Sequence, residues 1–294
     1  MKLIEFVCIN PDKTWHYGKL SKNPNITWKD VCKYNKIIQW DFWCLSLNPN
    51  IKLKHVYGNL KKPWDYENLS TNPNITWEHV RNNKKIPWDY FGLSQNPNIT
   101  WEHIRKDPNI WCFSRLSEHP NITWQIVCEN PDKPWDYTWL SINPNITWQI
   151  VRDNLDKPWY YGFLSQNPNI TWQIVCDNPN VPWEYGSLSQ NPNITWDIIC
   201  ANPNKPWDYQ FLSRHPNITW EHICANKDKP WNYIILSMNP NITLKIIRDN
   251  PDIPWNYEYL SMNEFCQHPH FRSSQYRRRI CHERHDRLLG ELLT

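Results

Sequence analysis

The chain has 294 residues with 21 Trp, 14 Tyr and 25 Pro, only six Gly, and a formal net charge of +3. No stretch approaches roughly 18 apolar residues, which excludes a membrane-spanning helix. The start MKLIEFVCINPDKTW has no long apolar core and no small-residue cleavage site, so an intracellular protein is expected. Six Arg and four acids in 262–294 leave a charge of only +1 for the remainder. Bulk charge therefore gives no argument for nucleic acid or for acidic membranes.

In chain order, the first element is IEFVC at 4–8, which aligns with WKDVC at 28–32, so the chain begins inside a repeat. The stretch PNITW then occurs eight times, from Pro24 to Pro216, with a ninth NIT at Asn241. Its opening Asn (or His) falls at 23, 48, 72, 96, 119, 143, 167, 191, 215 and 239, spaced 25, 24, 24, 23 and then 24. NIT is on paper a sugar acceptor, but a helix start accounts for the spelling. Thr is a good N-cap. In the copy at 26–31, Ile26 and Val31 are the two partners of a hydrophobic staple around Thr27. Asn-Pro ends the preceding helix, because Pro cannot continue one.

A second motif, clearest as NPDKPWDY at Asn130–Tyr137, lies between these copies. Its Trp column runs from Trp15 to Trp255, with an aromatic residue two places later and Leu-Ser five places later, from Leu20-Ser21 to Leu260-Ser261. Nineteen of the 21 Trp fall in the two columns, leaving Trp43 and Trp139 outside. Pro before Trp predicts a helix whose first turn holds the pair. The Pro content and the W-x-x-V spacing exclude strands. The expected fold is all-α: a right-handed-type solenoid of about ten 24-residue repeats, each of two short helices (α or 3-10), over 1–261. Trp172 and Trp183 are expected to be buried in mid-stack, and the shortened copy at 105–119 is where the stack should bend or fray. Residues 262–294 form a basic C-terminal cap helix or tail, with Tyr276, Ile280, Arg284, Leu288 and Leu292 spaced by four.

Over 1–261 the alternation of LSxNPNITWxxV and xxNPDKPWDYxx resembles tandem-repeat proteins of mimivirus-like giant DNA viruses, which implies a viral setting but no mechanism. The 24-residue period with Asn-Pro punctuation is also similar to leucine-rich repeat variant solenoids of alternating α and 3-10 helices. Their N-terminal iron–sulfur cysteines have no counterpart here, so no cofactor is implied.

Several columns carry chemistry-bearing residues. Cys8, Cys32, Cys128, Cys176, Cys200 and Cys224 share a position with Arg81, Arg105, Arg152 and Arg248, so that position should be at least partly exposed. Neighbouring copies about 10 Å apart are too distant for a disulfide or a zinc cage. The tail holds Cys266, His268, His270, Cys281, His282 and His285 in no recognised zinc spacing, and Arg277–Arg279 reads as a solvated face. His55, His79, His103 and His222 share their position with Ile, which marks it as a packing position. Asp41, Asp65, Asp89, Asp136, Glu184 and Asp208 follow the second Trp. They either complement the helix dipole or form an acidic ladder that binds a partner. No catalytic constellation and no phosphate loop is visible. The expectation is a non-enzymatic scaffold for a protein partner, with no metal, no cofactor, no membrane and no small-molecule substrate. The alternative is a nucleic-acid reader built like PUF or PPR repeats, against which the lack of basic excess counts.

Overall fold

The computed structural model describes residues 1–265. These residues are all-helical: 22 short α-helices in regular alternation, plus a single 3-10 turn at Pro108–Ile110. The cap helix expected in the tail lies outside the described residues.

Helices of the first kind start at the Trp of Thr-Trp, as in Trp172–Asp177, where Thr171 caps the helix by accepting from the Ile174 N–H. Helices of the second kind start two residues after Pro-Trp. In Tyr137–Leu140 the cap is Asp136, and Pro134 and Trp135 lie before the helix. Trp135 closes the preceding loop instead, its backbone N–H bonding Lys133 O at 2.8 Å and its indole N–H bonding Asn130 O at 2.9 Å. That departs from the reading of Pro as a first-turn residue.

What joins one unit to the next is polar. After each Leu-Ser comes a buried Asn or His that forms a rung. Asn191 Nδ2 donates to Ser165 O, Asn167 O and Ile170 O of the preceding unit at 2.8, 3.1 and 3.1 Å. Its Oδ1 accepts from the Asn193 N–H at 2.9 Å. Asn193 Nδ2 in turn donates to Pro168 O and Ile170 O at 2.8 and 3.0 Å. The Ser of Leu-Ser adds a cross-link: Ser141 Oγ donates to Tyr137 O at 2.7 Å and accepts from the Tyr160 N–H of the next unit at 2.9 Å. So both Asn of N-P-N are demanded by the ladder, beyond ending a helix. The amide nitrogen that a sugar would need, as on Asn169, is held by Pro144 O and Ile146 O at 2.7 and 3.0 Å.

His119 and His215 replace Asn in two rungs. In each, Nδ1 accepts from a backbone N–H that can only donate, so the proton is on Nε2, which donates to Asn96 O or Asn191 O at 2.9 or 3.0 Å.

The solenoid has no free end among the described residues. Asn23 Nδ2 donates to Ser261 O and Asn263 O, both at 2.9 Å, as every other rung bonds the rung before it. The His16 N–H bonds Ser261 Oγ at 3.1 Å, and Asn25 Nδ2 bonds Glu264 O at 2.9 Å. Trp15 meets Tyr257 edge-on with ring centroids 5.1 Å apart, matching the Tyr185–Trp207 contact at 5.4 Å in mid-chain. The rung of Asn263 is therefore followed in space by that of Asn23. The result is a closed ring of eleven two-helix units, formed where an open stack of about ten was expected.

The second helices of adjacent units pack closely on one another, as Tyr66–Thr71 does on Tyr90–Leu93 and Tyr17–Ser21 does on Phe42–Ser46. The Thr-Trp helices are spaced more widely. In a closed ring the closer spacing is the smaller radius, so the second helices form the inner circumference and the Thr-Trp helices the outer one. With eleven units at about 9 Å, the inner helix axes lie on a circle about 32 Å across. Subtracting helix thickness leaves an opening of about 20 Å.

The core lies between the two layers: Ile26, Leu69, Val151, Leu212 and their equivalents are enclosed, and eight Trp, among them Trp159, Trp196 and Trp207, are buried with them. Trp172 and Trp183, expected to be enclosed, are only half-buried. Outer helices diverge around a ring, and the Trp rings bridge the widening gaps, tilted against the next Trp column at 5.6 Å for Trp172–Trp207 and 5.3 Å for Trp148–Trp183. The shortened copy at 105–119 keeps its rung, since His119 bonds Asn96 O, so the ladder continues without a break.

Candidate docking face on the inner circumference

In each inner helix, Tyr, Leu and Ser at two, five and six places after Trp turn toward the core. At 100° per residue, places three, four and seven point away from it; Cys44 and Phe163 at place four, and Glu118, Ile142, Arg214 and Met238 at place seven, are nevertheless buried. These are the places that change from unit to unit. Place three is Gly18, Trp43, Glu67, Phe91, Ser114 and Thr138 in the first six units; place four is Lys19, Cys44, Asn68, Gly92, Arg115 and Trp139. Leu-Ser beside them never varies. The sequence shows this contrast once the repeats are aligned, and the columns selected on charge missed it.

The varying residues are rich in aromatic and cationic groups. The Arg115 guanidinium sits between Phe91 and Trp139, 5.1 and 5.4 Å from their ring centroids. Trp139 continues to Phe163 at 5.2 Å, and Phe163 to Tyr160 at 5.0 Å. This arc crosses four consecutive units. Elsewhere Arg214 lies over Phe211 at 5.1 Å, and Lys19 lies over Tyr259 at 4.8 Å across the seam. Trp43, Phe91 and Ile234 are 54, 43 and 48% exposed. Counting places one, three, four and seven around the ring gives nine acids against four bases, a formal charge of −5.

The acidic column stands at place one. Asp41, Asp65, Asp89, Asp136 and Asp208 each cap the helix that follows, accepting from backbone N–H groups at 2.6 to 3.0 Å at their closest. This satisfies orphan first-turn donors and places negative charge at the positive helix end. Glu184 differs: its side chain makes no cap bond to the backbone and accepts only from Ser187 Oγ at 3.3 Å. Asp136 opens onto a shallow groove with Ser114 and Thr138, the place-three residues of adjacent units. The column thus borders the variable face and recurs once per unit, without converging on one point.

The outer columns have structural roles. His55, His103 and His222 stack on Trp28, Trp77 and Trp196 of the preceding unit at 5.1, 5.2 and 5.7 Å. Their Nδ1 atoms accept from the cap residue's N–H at 3.1 to 3.2 Å. Burial, reinforced by nearby Lys54 and Lys52, pushes the His55 pKa below its ordinary value; burial and Lys106 do the same for His103. Cys32, Cys128, Cys176, Cys200 and Cys224 are exposed free thiols on the outer helices, and Cys8 is half-buried. Among the described residues no cluster of His, Cys, Asp and Glu could hold a metal ion. The Cys and His of the tail lie outside the described residues. No described helix is long and apolar enough to cross a membrane.

The fold and this face define a class: a closed ring of helical-hairpin repeats with an invariant framework and a variable inner surface. No protein-family model, curated protein or solved structure matches the chain.

Proposed function

We propose that the ring is a non-enzymatic scaffold that holds a protein partner on its inner circumference. The observation that carries this reading is the contrast between units. Leu-Ser repeats in every unit, and the rung Asn and capping Thr in most, while the combination of residues at places three, four and seven of the inner helix differs in every copy. A framework that needs only structural identity has no use for eleven different inner surfaces; a surface fitted to an asymmetric partner does. The titratable columns support a non-enzymatic role, since the Asp and His side chains are engaged as caps and stacking partners. The acidic balance of the inner face counts against the nucleic-acid alternative, because phosphate contacts need a positive track. The repeat spelling that resembles giant-virus tandem-repeat proteins makes infected cells the setting in which to look for the partner, inside the cell.

The test compares tagged chains purified from such cells. Trp43→Ala with Phe91→Ala should remove specific co-purifying proteins while leaving circular dichroism unchanged. The outer-face pair Glu78→Lys and Arg152→Glu should not. Partners that survive the inner substitutions and disappear with the outer ones would refute the assignment.

A further inference from the structure

We infer that the inner face takes a cationic, arginine-bearing polypeptide segment of the partner, anchored between Tyr160 and Glu184. This rests on the reading of the inner circumference as the binding face. Place one should hold a helix cap, and in most units it does. Cys112, Tyr160 and Glu184 make no side-chain cap bond, and the last two stand in consecutive units. Giving up two adjacent caps breaks a local rule with no gain to the framework, and such breaks mark functional positions.

Both side chains instead converge on Gly162. A Cβ placed there would come within 2.8 Å of Glu184 Oε2 and 2.8 Å of Tyr160 Cζ. The glycine leaves room for an aromatic ring and a carboxylate to stand side by side. Tyr160 is 44% exposed, and Glu184 is exposed. A ring face beside a carboxylate is the pairing that holds a guanidinium, which stacks on the ring and donates in-plane to the oxygens.

The rest of the face agrees in sign and chemistry. Its formal charge of −5 attracts a cation. It already holds its own cations on aromatic rings, with Arg115, Arg214 and Lys19 each 4.8 to 5.4 Å from a ring centroid. An opening of about 20 Å admits an extended segment or a single helix about 10–12 Å wide. The chain's own sequence after 265 holds six Arg, which makes it the competing occupant.

The experiment uses the full-length chain with fluorescein-labelled octa-arginine, octa-glutamate and a neutral Gly-Ser peptide, read by anisotropy. Octa-arginine should bind, and Glu184→Gln and Tyr160→Leu should each weaken it by about tenfold. The outer-face Glu102→Gln should leave it unchanged. Equal binding by wild type and both inner variants would show diffuse attraction to acids and overturn the proposal, as would no binding at all. If the neutral or acidic peptide binds in a Tyr160-dependent way, the partner's chemistry is misassigned while the inner face stands. A photo-crosslinking phenylalanine analogue in place of Tyr160 addresses the competitor: capture of the chain's own 266–294 in the isolated protein overturns the external occupant. If the crosslinker captures nothing and the inner substitutions leave the co-purifying proteins in place, the docking face itself is wrong.

Discussion

Replacing Asn23 with Ala tests ring closure directly. Asn23 Nδ2 donates to Ser261 O and Asn263 O, and Oδ1 accepts from the Asn25 N–H, all at 2.9 Å. The substitution removes three bonds and strands buried carbonyls. At about 1 kcal/mol net per bond, the loss is about 3 kcal/mol. Asn167→Ala, which removes four bonds in mid-chain, should cost at least as much, because Asn167 donates to Ser141 O, Asn143 O and Ile146 O at 2.9, 3.1 and 3.3 Å and accepts from the Asn169 N–H at 2.8 Å. In an open array the first rung would belong to an end unit with one neighbour, and its loss would pass into local fraying. Urea unfolding followed by tryptophan fluorescence measures both, and a loss of this size should lower the melting temperature by roughly 6–12 °C. A change under about 1 kcal/mol for Asn23→Ala beside a full loss for Asn167→Ala would show that the seam is open, and the ring would be refuted.

Acid should weaken the ring through His215, whose burial, with the charge of Arg214 adding to it, lowers the pKa from 6.5 to about 4 despite the bond to Asn191. The unfolded chain binds this proton first, so the stability is full above pH 6.5 and falls by about 3 kcal/mol as pH drops toward 4; His215→Asn should flatten that part of a stability–pH profile. Trp159→Phe should cost about 1 kcal/mol more than Trp111→Phe in urea unfolding, because the Trp159 indole bonds Asn154 O at 2.8 Å while that of Trp111 has no partner. Thr171→Ala should cost about 1 kcal/mol as a lost N-cap, measured in the same way. A circular permutant joining Phe265 to Lys2, with new ends in the exposed 155–156 loop, should keep the helical circular dichroism and the small-angle scattering radius of the parent; an expanded radius would contradict the seam.

The local code was legible because its physics is local. Thr27 and its equivalents cap helices through bonds within three residues, and Leu-Ser fixes the buried side of the inner helix wherever it occurs. The ladder was not read, although its signal was present. Positions 119 and 215 accept His where the other units have Asn, and these two side chains share a donor and an acceptor at similar reach. That substitution pattern requires both functions at once, which helix termination alone does not. The burial of Trp172 and Trp183 was misjudged for a global reason. Whether neighbouring outer helices pack closely or diverge depends on the rotation per unit, about 33° when eleven units complete a circle. No 24-residue copy carries that angle. The acidic column was visible but ambiguous; only the geometry separates the capping Asp residues from Glu184.

Closure also accounts for where the repeat tolerates irregular length. The extra residue between Asn23 and Asn48, and the missing one between Asn96 and His119, both fall in the loop from an outer helix to the next Trp, Trp40 or Trp111. In both units the indole N–H loses its regular carbonyl partner, leaving Trp40 and Trp111 as the described Trp residues with an orphaned buried nitrogen. The rungs on either side are intact, with Asn48 bonding Ser21 O at 2.7 Å and His119 bonding Asn96 O at 2.9 Å. An indel in the inner helix or the rung would change the spacing of one unit, and a closed ring would have to share that error among all eleven. An indel in the outer loop leaves the inner circumference in register and confines its cost to one hydrogen bond, about 1 kcal/mol. The length variation therefore lies where closure does not feel it. The side-chain variation lies on the inner face, at places the ladder does not use, so the surface there can differ in every unit without disturbing the ring that presents it.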